Sequence, residues 1–230
     1  KYPENEIKFD ISKIKLTTID IEVASENGFP DVESAAEEIL LISIQDYNTK
    51  NIITWGVKPF TNKQSNVTYI LCDSEYGLLQ KFIEWWDKNP PDVITGWNIK
   101  FFDMPYLVNR LRKILDEDEA KKLSPWNIIS ERKANVNGRE MIAYDFLGVA
   151  ALDYIELYRW YAPAGKSQDS YKLDNIANVE LGDSKLSFDE YDNLHALYRL
   201  NYQKFIEYNI KDVELIVRME EKLKLIELGM

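Results

Sequence analysis

The sequence predicts an α/β protein, in which short apolar strands are interleaved with amphipathic helices. Three observations indicate this class. Leu16 to Val23 alternates apolar and polar residues, as a half-buried strand does. Ser74 to about Asn89 carries apolar residues at helical spacing and lies between two short apolar strands. Asn137-Gly138 separates two further strands and is a strong short-range signal for a β-hairpin, which we expect to protrude.

The first half of the chain predicts most of the sheet. Residues 1–14 are expected to be a lead-in, anchored by Phe9, Ile11 and Ile14, and residues 15–230 to form one domain. The helix that begins at Ser74 is stopped by Pro90-Pro91. Besides Leu16 to Val23, strands are expected at Ile39 to Asp46, Ile52 to Val57, Val67 to Leu71 and Asp92 to Gly96. The first three of these five strands are expected to form a meander.

The second half predicts the hairpin and several helices. A helix begins near Asp103, with Leu107, Leu111 and Leu115 on one side. The hairpin strands are Ile128 to Asn135 and Arg139 to Phe146. Further helices are expected at Leu152 to Tyr161, Ser170 to Val179, Leu194 to Leu200 and Tyr202 to Leu228.

Composition excludes several classes of function. The 230 residues are 45% hydrophobic, which is enough for a substantial core. No apolar run can span a bilayer and no signal peptide is apparent, so we expect no membrane partner and a cytoplasmic location. Cys72 and His195 are the single cysteine and histidine, which leaves little to build a disulfide, a zinc cluster or a serine–histidine triad. Any catalysis would therefore depend on carboxylates.

The charge balance argues against a general electrostatic affinity for nucleic acid. The formal net charge is −11, whereas affinity for phosphate backbones comes mainly from Lys and Arg. This objection weakens if part of the negative charge binds metal, or if a larger assembly supplies a basic surface. The first residue is Lys1 rather than Met, which suggests a piece of a longer protein.

Asp20 and Glu22 form the first candidate site. They are two residues apart on a strand, so their carboxylates project from the same face only several Å apart. Two such anions repel by a few kcal/mol at an effective dielectric constant of about 20. A divalent cation would explain why they are held together. The alternative is a simple solvated face.

Three more polar residues and one aromatic are candidates on weaker grounds. Asp103 lies where a strand leads into a helix, as an N-cap, as a ligand group at the carboxyl end of a strand, or as both, since the two roles are not exclusive. Tyr208 and Asp212 are four residues apart, so they share one face of a helix. They are either part of a functional site or a simple hydrogen-bonded couple. Phe29 lies on a loop, where it stacks on a base or fills a surface hollow.

Together these residues resemble a known family. The chain carries, in order, Asp20-x-Glu22, Asn98-x-x-x-Phe102-Asp103 and Tyr208-x-x-x-Asp212. This set is similar to the proofreading 3′→5′ exonuclease domain of family B DNA polymerases, of the tyrosine type in the Asp-Glu-Asp-Asp superfamily. The replicative polymerases of T-even-like bacteriophages also share similar stretches at Asn27 to Pro30, Thr95 to Asn98, Leu123 to Pro125, Leu152 to Tyr158 and Tyr208 to Val213.

The resemblance implies a fold and a chemistry. The fold is ribonuclease-H-like, a mixed central sheet flanked by helices, with the carboxylates meeting at one edge. The reaction is hydrolysis of single-stranded or frayed DNA 3′ ends to mononucleotides with two Mg²⁺ or Mn²⁺ ions, for which oxygen ligands are suited. Asp20 would bridge both ions, Glu22 and Asp212 would complete the site that activates water, and Asp103 would hold the second ion. Tyr208 would orient the attacking water.

The resemblance also implies how DNA binds. Phe29 would wedge between terminal bases, Asn98 and Phe102 would grip the terminal nucleotide, and Lys185 would approach the scissile phosphate. The hairpin at Ile128 to Phe146 would help to hold primer and template apart. The expected partners are a single-stranded DNA 3′ end and the polymerase domains of the same longer chain, in a monomer that acts in the host cytoplasm if the source is viral.

Two alternatives stay open at this point. One is a non-catalytic nucleic-acid-binding or scaffold module of a polymerase, and the other is a free-standing exonuclease that trims RNA. The presence of four carboxylates and the tyrosine disfavours the first, and the hairpin disfavours the second. The chain has no recognisable polymerase palm motif, so we do not expect it to synthesise DNA by itself.

Overall fold

The computed structural model describes residues 10–25, 28–136, 138–161, 168 and 170–230. Its strands are β1 (Leu16–Val23), β2 (Ile39–Asp46), β3 (Ile52–Gly56), β4 (Val67–Leu71), β5 (Val93–Gly96), β6 (Ile129–Val136), β7 (Arg139–Phe146) and β8 (Ala150–Asp153). Its helices are α1 (Glu75–Lys88), α2 (Asp103–Ile114), α3 (Glu117–Lys121), α4 (Tyr154–Tyr161), α5 (Leu173–Leu181), α6 (Leu194–Leu200), α7 (Tyr202–Leu223) and α8 (Leu225–Gly229).

Six strands form one mixed sheet in the order β4-β3-β2-β1-β5-β8. The pairs β1–β2 and β2–β3 are antiparallel, whereas β3–β4, β1–β5 and β5–β8 are parallel. This arrangement confirms the α/β class, the meander and the ribonuclease-H-like mixed sheet flanked by helices.

The central strand β1 is more deeply buried than predicted. Its alternation was expected to leave one face open, but seven of its eight residues are buried, because helices cover both faces of the sheet. Ile19 and Ile21 pack in the cluster that contains α1 and α2, while Asp20 and Glu22 face α7. Only Asp20 keeps partial exposure on this strand.

Three predicted helices have different bounds in the structure, and the one expected at Ser170 to Val179 is Leu173–Leu181. Leu152 and Asp153 belong to β8 rather than to a helix, because this segment pairs with β5 at the edge of the sheet. The last helix ends at Leu223 instead of continuing to Leu228. Lys224 adopts a left-handed conformation with φ of 57°, which breaks the helix before α8.

The predicted hairpin strands β6 and β7 pair antiparallel over all eight residues, in a two-stranded sheet of their own. Asn137, on which the turn prediction rested, lies outside the described residues. The base of the pair is attached to the domain, since Tyr144 Oη donates to Asn109 Oδ1 on α2 (2.7 Å) and Phe146 is buried.

The lead-in is described only in part. Phe9 lies outside the described residues, Ile11–Lys13 forms a 3₁₀ turn, and Ile11 and Ile14 pack against the apolar cluster that contains Leu16. The division of the chain at residue 14 stays a prediction. Among the described residues, no helix combines the length and the hydrophobicity needed to cross a bilayer.

Candidate functional site

Two carboxylates of β1 meet one carboxylate of α7. The side chains of Asp20 and Glu22 project from one face of the sheet towards α7, where Asp212 is buried. One oxygen from each of the three carboxylates lies within 4.8 Å of the other two. The pair predicted on the strand and the acid predicted on the late helix are therefore neighbours in the fold.

Asp103 lies at the same site but in a different orientation. It is the first residue of α2, and the N-cap position belongs to Phe102, so the interpretation of Asp103 as an N-cap is wrong. Its buried Oδ1 instead accepts a hydrogen bond from the Ile21 N–H (3.1 Å), which directs the carboxylate to β1. Asp103 is not within the 4.8 Å group, although its charge acts on Asp20.

Every residue predicted for the site borders one pocket of about 320 Å³. The pocket is lined by Asp20, Ile21, Glu22, Phe29, Trp97, Asn98, Phe102, Asp103, Lys185, Leu194, Tyr208 and Asp212. The elements that supply them are widely separated in sequence. For example, a hydrogen bond from Asn209 on α7 to Asp20 on β1 joins residues that are 189 positions apart.

Lys185 and Tyr208 border the pocket beside Asp212. The Lys185 ammonium forms an ion pair with Asp212 Oδ2 and donates to Tyr208 Oη (3.2 Å). The Lys185 backbone N–H donates to Asp174 Oδ1 (2.8 Å). The ring centroids of Phe188 and Tyr208 are 5.4 Å apart. These contacts hold the lysine at the acidic pocket.

Aromatic side chains stand at the mouth of the pocket. The Phe29 side chain is 83% exposed, and its ring centroid is 5.0 Å from that of Phe102. This exposure contradicts the alternative that Phe29 fills a surface hollow. Asn98 has a left-handed backbone with φ of 68°, at the point where β5 leads to α2. Asn27, in the same stretch as Phe29, lies outside the described residues.

The buried carboxylates resist ionisation. Burial and then the charges of Asp212, Asp103 and Glu22 raise the pKa of Asp20 well above its ordinary value. Burial, followed by the charge of Asp212, raises the pKa of Glu22 to about 8. Burial raises the pKa of Asp103 to about 7, against the effect of the Ile21 hydrogen bond. Burial also raises the pKa of Asp212, and Lys185 opposes that shift.

The two groups that flank the acids keep their protons. Burial favours a neutral amine, but Asp212, Tyr208 and Asp20 together raise the pKa of Lys185 above its ordinary value. Burial raises the pKa of Tyr208, and Lys185 opposes it only in part. At neutral pH the site therefore presents an ammonium and a phenol beside the carboxylates.

The residues fit divalent cations with a preference for oxygen ligands. Carboxylates offer only acceptor oxygens when ionised; Glu22, Asp103 and Asp212 are buried, Asp20 is partly buried, and the set is mutually repulsive. Within the described part of the chain, Asp212 Oδ1 is buried and has no hydrogen-bond partner. A buried acceptor without a partner is costly, so this oxygen is available to a cation. Asp20, Glu22 and Asp212 could hold such an ion.

Two residues near the pocket were not predicted. Asn209 on α7 donates from Nδ2 to Asp20 Oδ2. Asp153 ends β8, and its carboxylate accepts from the N–H groups of Asn98 (2.9 Å), Lys100 (3.0 Å) and Ile155 (3.2 Å). Each lies in a stretch that carried the resemblance, but no spacing signal pointed to its side chain.

Comparison with known proteins agrees with this geometry. The sequence model for the DNA polymerase family B exonuclease domain matches residues 1–176. The chain is 33% identical over 257 residues to the DNA-directed DNA polymerase of Escherichia phage RB69, covering 98% of this chain and 27% of that polymerase. It is 31% identical over 243 residues to that of Enterobacteria phage T4, covering 94% of this chain and 26% of the polymerase.

A cellular relative is also similar. DNA polymerase 1 of Sulfolobus acidocaldarius is 27% identical over 220 residues, covering 93% of this chain and 23% of that polymerase. The chain thus spans about a quarter of the length of these relatives. The family match and the phage relatives confirm the resemblance found in the sequence motifs, and the chain belongs to the exonuclease-domain family of the family B DNA polymerases.

Proposed function

We propose that this domain removes nucleotides from the 3′ end of single-stranded or frayed DNA by phosphodiester hydrolysis, and so proofreads for a polymerase. The observation that carries the proposal is the convergence of four acidic residues from three separate elements on one pocket. Membership of the exonuclease-domain family supports it.

The proposed metal site uses the four carboxylates Asp20, Glu22, Asp103 and Asp212. When bound there, two Mg²⁺ or Mn²⁺ ions activate water and stabilise charge on the phosphate oxygens and the departing 3′-oxygen. The high pKa values of the acids favour protonated carboxyls in the absence of a cation. These protons must leave before the carboxylates act as ligands.

Tyr208 and Lys185 act on the substrate side of the pocket in this proposal. The Tyr208 phenol stays protonated at neutral pH, so it orients the attacking water by hydrogen bonding and does not serve as the base. The Lys185 ammonium, which neutralises Asp212, also faces the pocket and offsets negative charge on the scissile phosphate.

The mouth of the pocket receives the DNA strand. The exposed Phe29 ring wedges between terminal bases, and Phe102 and Asn98 hold the terminal nucleotide. Stacking of a base on an aromatic ring contributes about 1–3 kcal/mol. The β6–β7 pair helps to separate primer from template. We further propose that the domain is a monomeric part of a longer polymerase chain, as the length of its relatives suggests.

The test is hydrolysis of a 5′-labelled single-stranded DNA oligonucleotide in Mg²⁺ by the wild type and by Asp20→Ala. We expect a ladder of 3′-shortened products and a loss of at least about 100-fold in rate for the variant, as for other losses of electrostatic stabilisation. Asp118→Ala is the matched control, because the Asp118 side chain is 90% exposed and lies outside the pocket. Undiminished activity of Asp20→Ala would refute the mechanism.

The same assay separates the two alternatives. A scaffold module would hydrolyse neither DNA nor RNA, and it would show no saturable Mn²⁺ binding by calorimetry. An RNA-trimming enzyme would degrade an RNA oligonucleotide of the same sequence faster than the DNA. We expect the DNA to be the better substrate.

A further inference from the structure

Asn209 is a buried amide on α7, the helix that also carries Asp212, and it faces the acidic strand β1. Its side chain is fully buried, and its Nδ2 donates to Asp20 Oδ2. Burial raises the pKa of Glu22, and the nearby Asn209 side chain opposes that shift. An amide nitrogen has two hydrogens, so one side chain can serve both carboxylates.

The orientation of this amide follows from its surroundings. In the part of the chain that the structure describes, Asn209 Oδ1 is buried and has no hydrogen-bond partner. The flipped amide would set that oxygen against Asp20, which is an acceptor when ionised. The amide nitrogen therefore faces Asp20, and the buried carbonyl oxygen is left without a partner.

A neutral donor solves a specific problem at this site. Asp20 and Glu22 repel each other, and the nearby ammonium of Lys185 pairs with Asp212 rather than with them. A cationic partner would neutralise the pair and compete with a metal ion. A hydrogen bond from an amide fixes the Asp20 carboxylate beside Glu22 and leaves its negative charge for a cation.

We propose that Asn209 is a positioning residue that aligns Asp20 beside Glu22 for divalent metal. This role rests on the proposed function, but it concerns metal affinity and not DNA contact. Asn209 does not line the pocket, so its role is to act through Asp20. Its loss should weaken metal binding and leave the affinity for DNA unchanged.

The experiment is titration calorimetry of the metal-free chain with MnCl₂, for the wild type, Asn209→Leu and Asn209→Ala. Leucine keeps the number and branching of the side-chain heavy atoms and removes the donor, so together with alanine it separates packing from hydrogen bonding. We expect both variants to bind Mn²⁺ about 10–100-fold more weakly, the usual effect of losing a partner that orients a metal ligand.

Asn109→Ala is the matched control. Asn109 also makes two side-chain hydrogen bonds, to the Val32 carbonyl (2.9 Å) and from Tyr144 Oη (2.7 Å), but it lies outside the pocket. We expect this variant to unfold at a lower temperature and to bind Mn²⁺ as the wild type does. Circular dichroism in EDTA verifies that all variants are folded.

A kinetic readout accompanies the calorimetry. In the oligonucleotide assay, the Mn²⁺ concentration for half-maximal rate should rise about 10–100-fold in the folded Asn209 variants, with KM for DNA changed less than about twofold. Folded variants with wild-type Mn²⁺ affinity would overturn the proposal, whether or not the enzyme is active.

The outcomes distinguish this proposal from the proposed function. A wild type that binds Mn²⁺ but hydrolyses no oligonucleotide would refute the exonuclease and leave the calorimetric test of Asn209 intact. A wild type that binds no Mn²⁺ would refute both the metal site and the positioning role. Hydrolysis by the wild type together with unchanged Asn209 variants would refute the positioning role alone.

Discussion

At the scale of single residues, the acids of the pocket make the metal-free protein sensitive to pH. Burial and the charge of Asp212 raise the pKa of Glu22 from 4.5 to about 8. The folded chain then holds a proton that the unfolded chain releases, so the free energy of unfolding falls as pH rises between these two values. The contribution of the protonated Glu22 is complete below about pH 4.5 and is lost as pH rises through about 8.

We therefore predict that Glu22→Gln removes part of this pH dependence. In EDTA, the wild type should lose stability relative to Glu22→Gln between about pH 5 and pH 8.5, by on the order of a few kcal/mol. Chemical denaturation of both proteins across this range measures the difference. Parallel stability profiles would show that Glu22 does not titrate as the structure indicates.

At the scale of elements, the turn between β5 and α2 depends on a residue from another strand. The buried carboxylate of Asp153 accepts hydrogen bonds from the N–H groups of Asn98 and Lys100. These bonds hold Asn98 in its left-handed conformation and set the start of the turn that ends at Phe102. The mouth of the pocket is thus shaped by the end of β8.

We predict that Asp153→Asn misplaces this turn, because one acceptor oxygen becomes a donor that faces a backbone N–H. An unsatisfied buried group costs about 1–3 kcal/mol. KM for a single-stranded oligonucleotide should rise about tenfold or more, with a smaller change in kcat, in steady-state kinetics. Asp145→Asn is the control, since Asp145 is 58% exposed on β7. A lower melting temperature with unchanged KM would limit Asp153 to a structural role.

At the scale of the whole molecule, the charge opposes DNA binding. The net charge is −11, and the pocket adds local repulsion of phosphate when its acids are ionised. We predict a Kd for a single-stranded oligonucleotide weaker than about 1 μM near physiological salt in EDTA, and because the attractive phosphate contacts come from Lys and Arg, the Kd should rise further with salt. Fluorescence anisotropy at two salt concentrations measures it. Nanomolar affinity for the single strand would contradict this prediction.

Local patterns predicted the elements whose signals lie within a few neighbouring residues. The Ser74 cap and the apolar spacing after it placed α1 to within one residue at each end, and α6 was predicted at its observed bounds. The edge strand β8 was missed, since Ala150 to Asp153 become a strand only by pairing with β5. The break at Lys224 was also missed, although a nearby contact accompanies it, in which the Glu220 carboxylate accepts from the Ile226 N–H.

The candidate site was likewise predicted only in part. Residue types and spacings indicated six residues, the resemblance to the family added Asn98, Phe102 and Lys185, and all nine border one pocket. They did not predict that Asp103 bonds to the backbone of β1, that Lys185 pairs with Asp212, or that Asn209 and Asp153 support the site. None of these contacts has a signature in the local sequence.

The sequence by itself determined which acids are available and on which faces of β1 and α7 they stand, because strand and helix periodicity depend on near neighbours. Only the tertiary structure decided that these acids meet. Asp103 lies 82 positions from its partner Ile21, and Asn209 lies 189 positions from Asp20. Contacts at such separations, and the burial that raises the pKa values of the acids, come from packing the helices on both faces of one sheet.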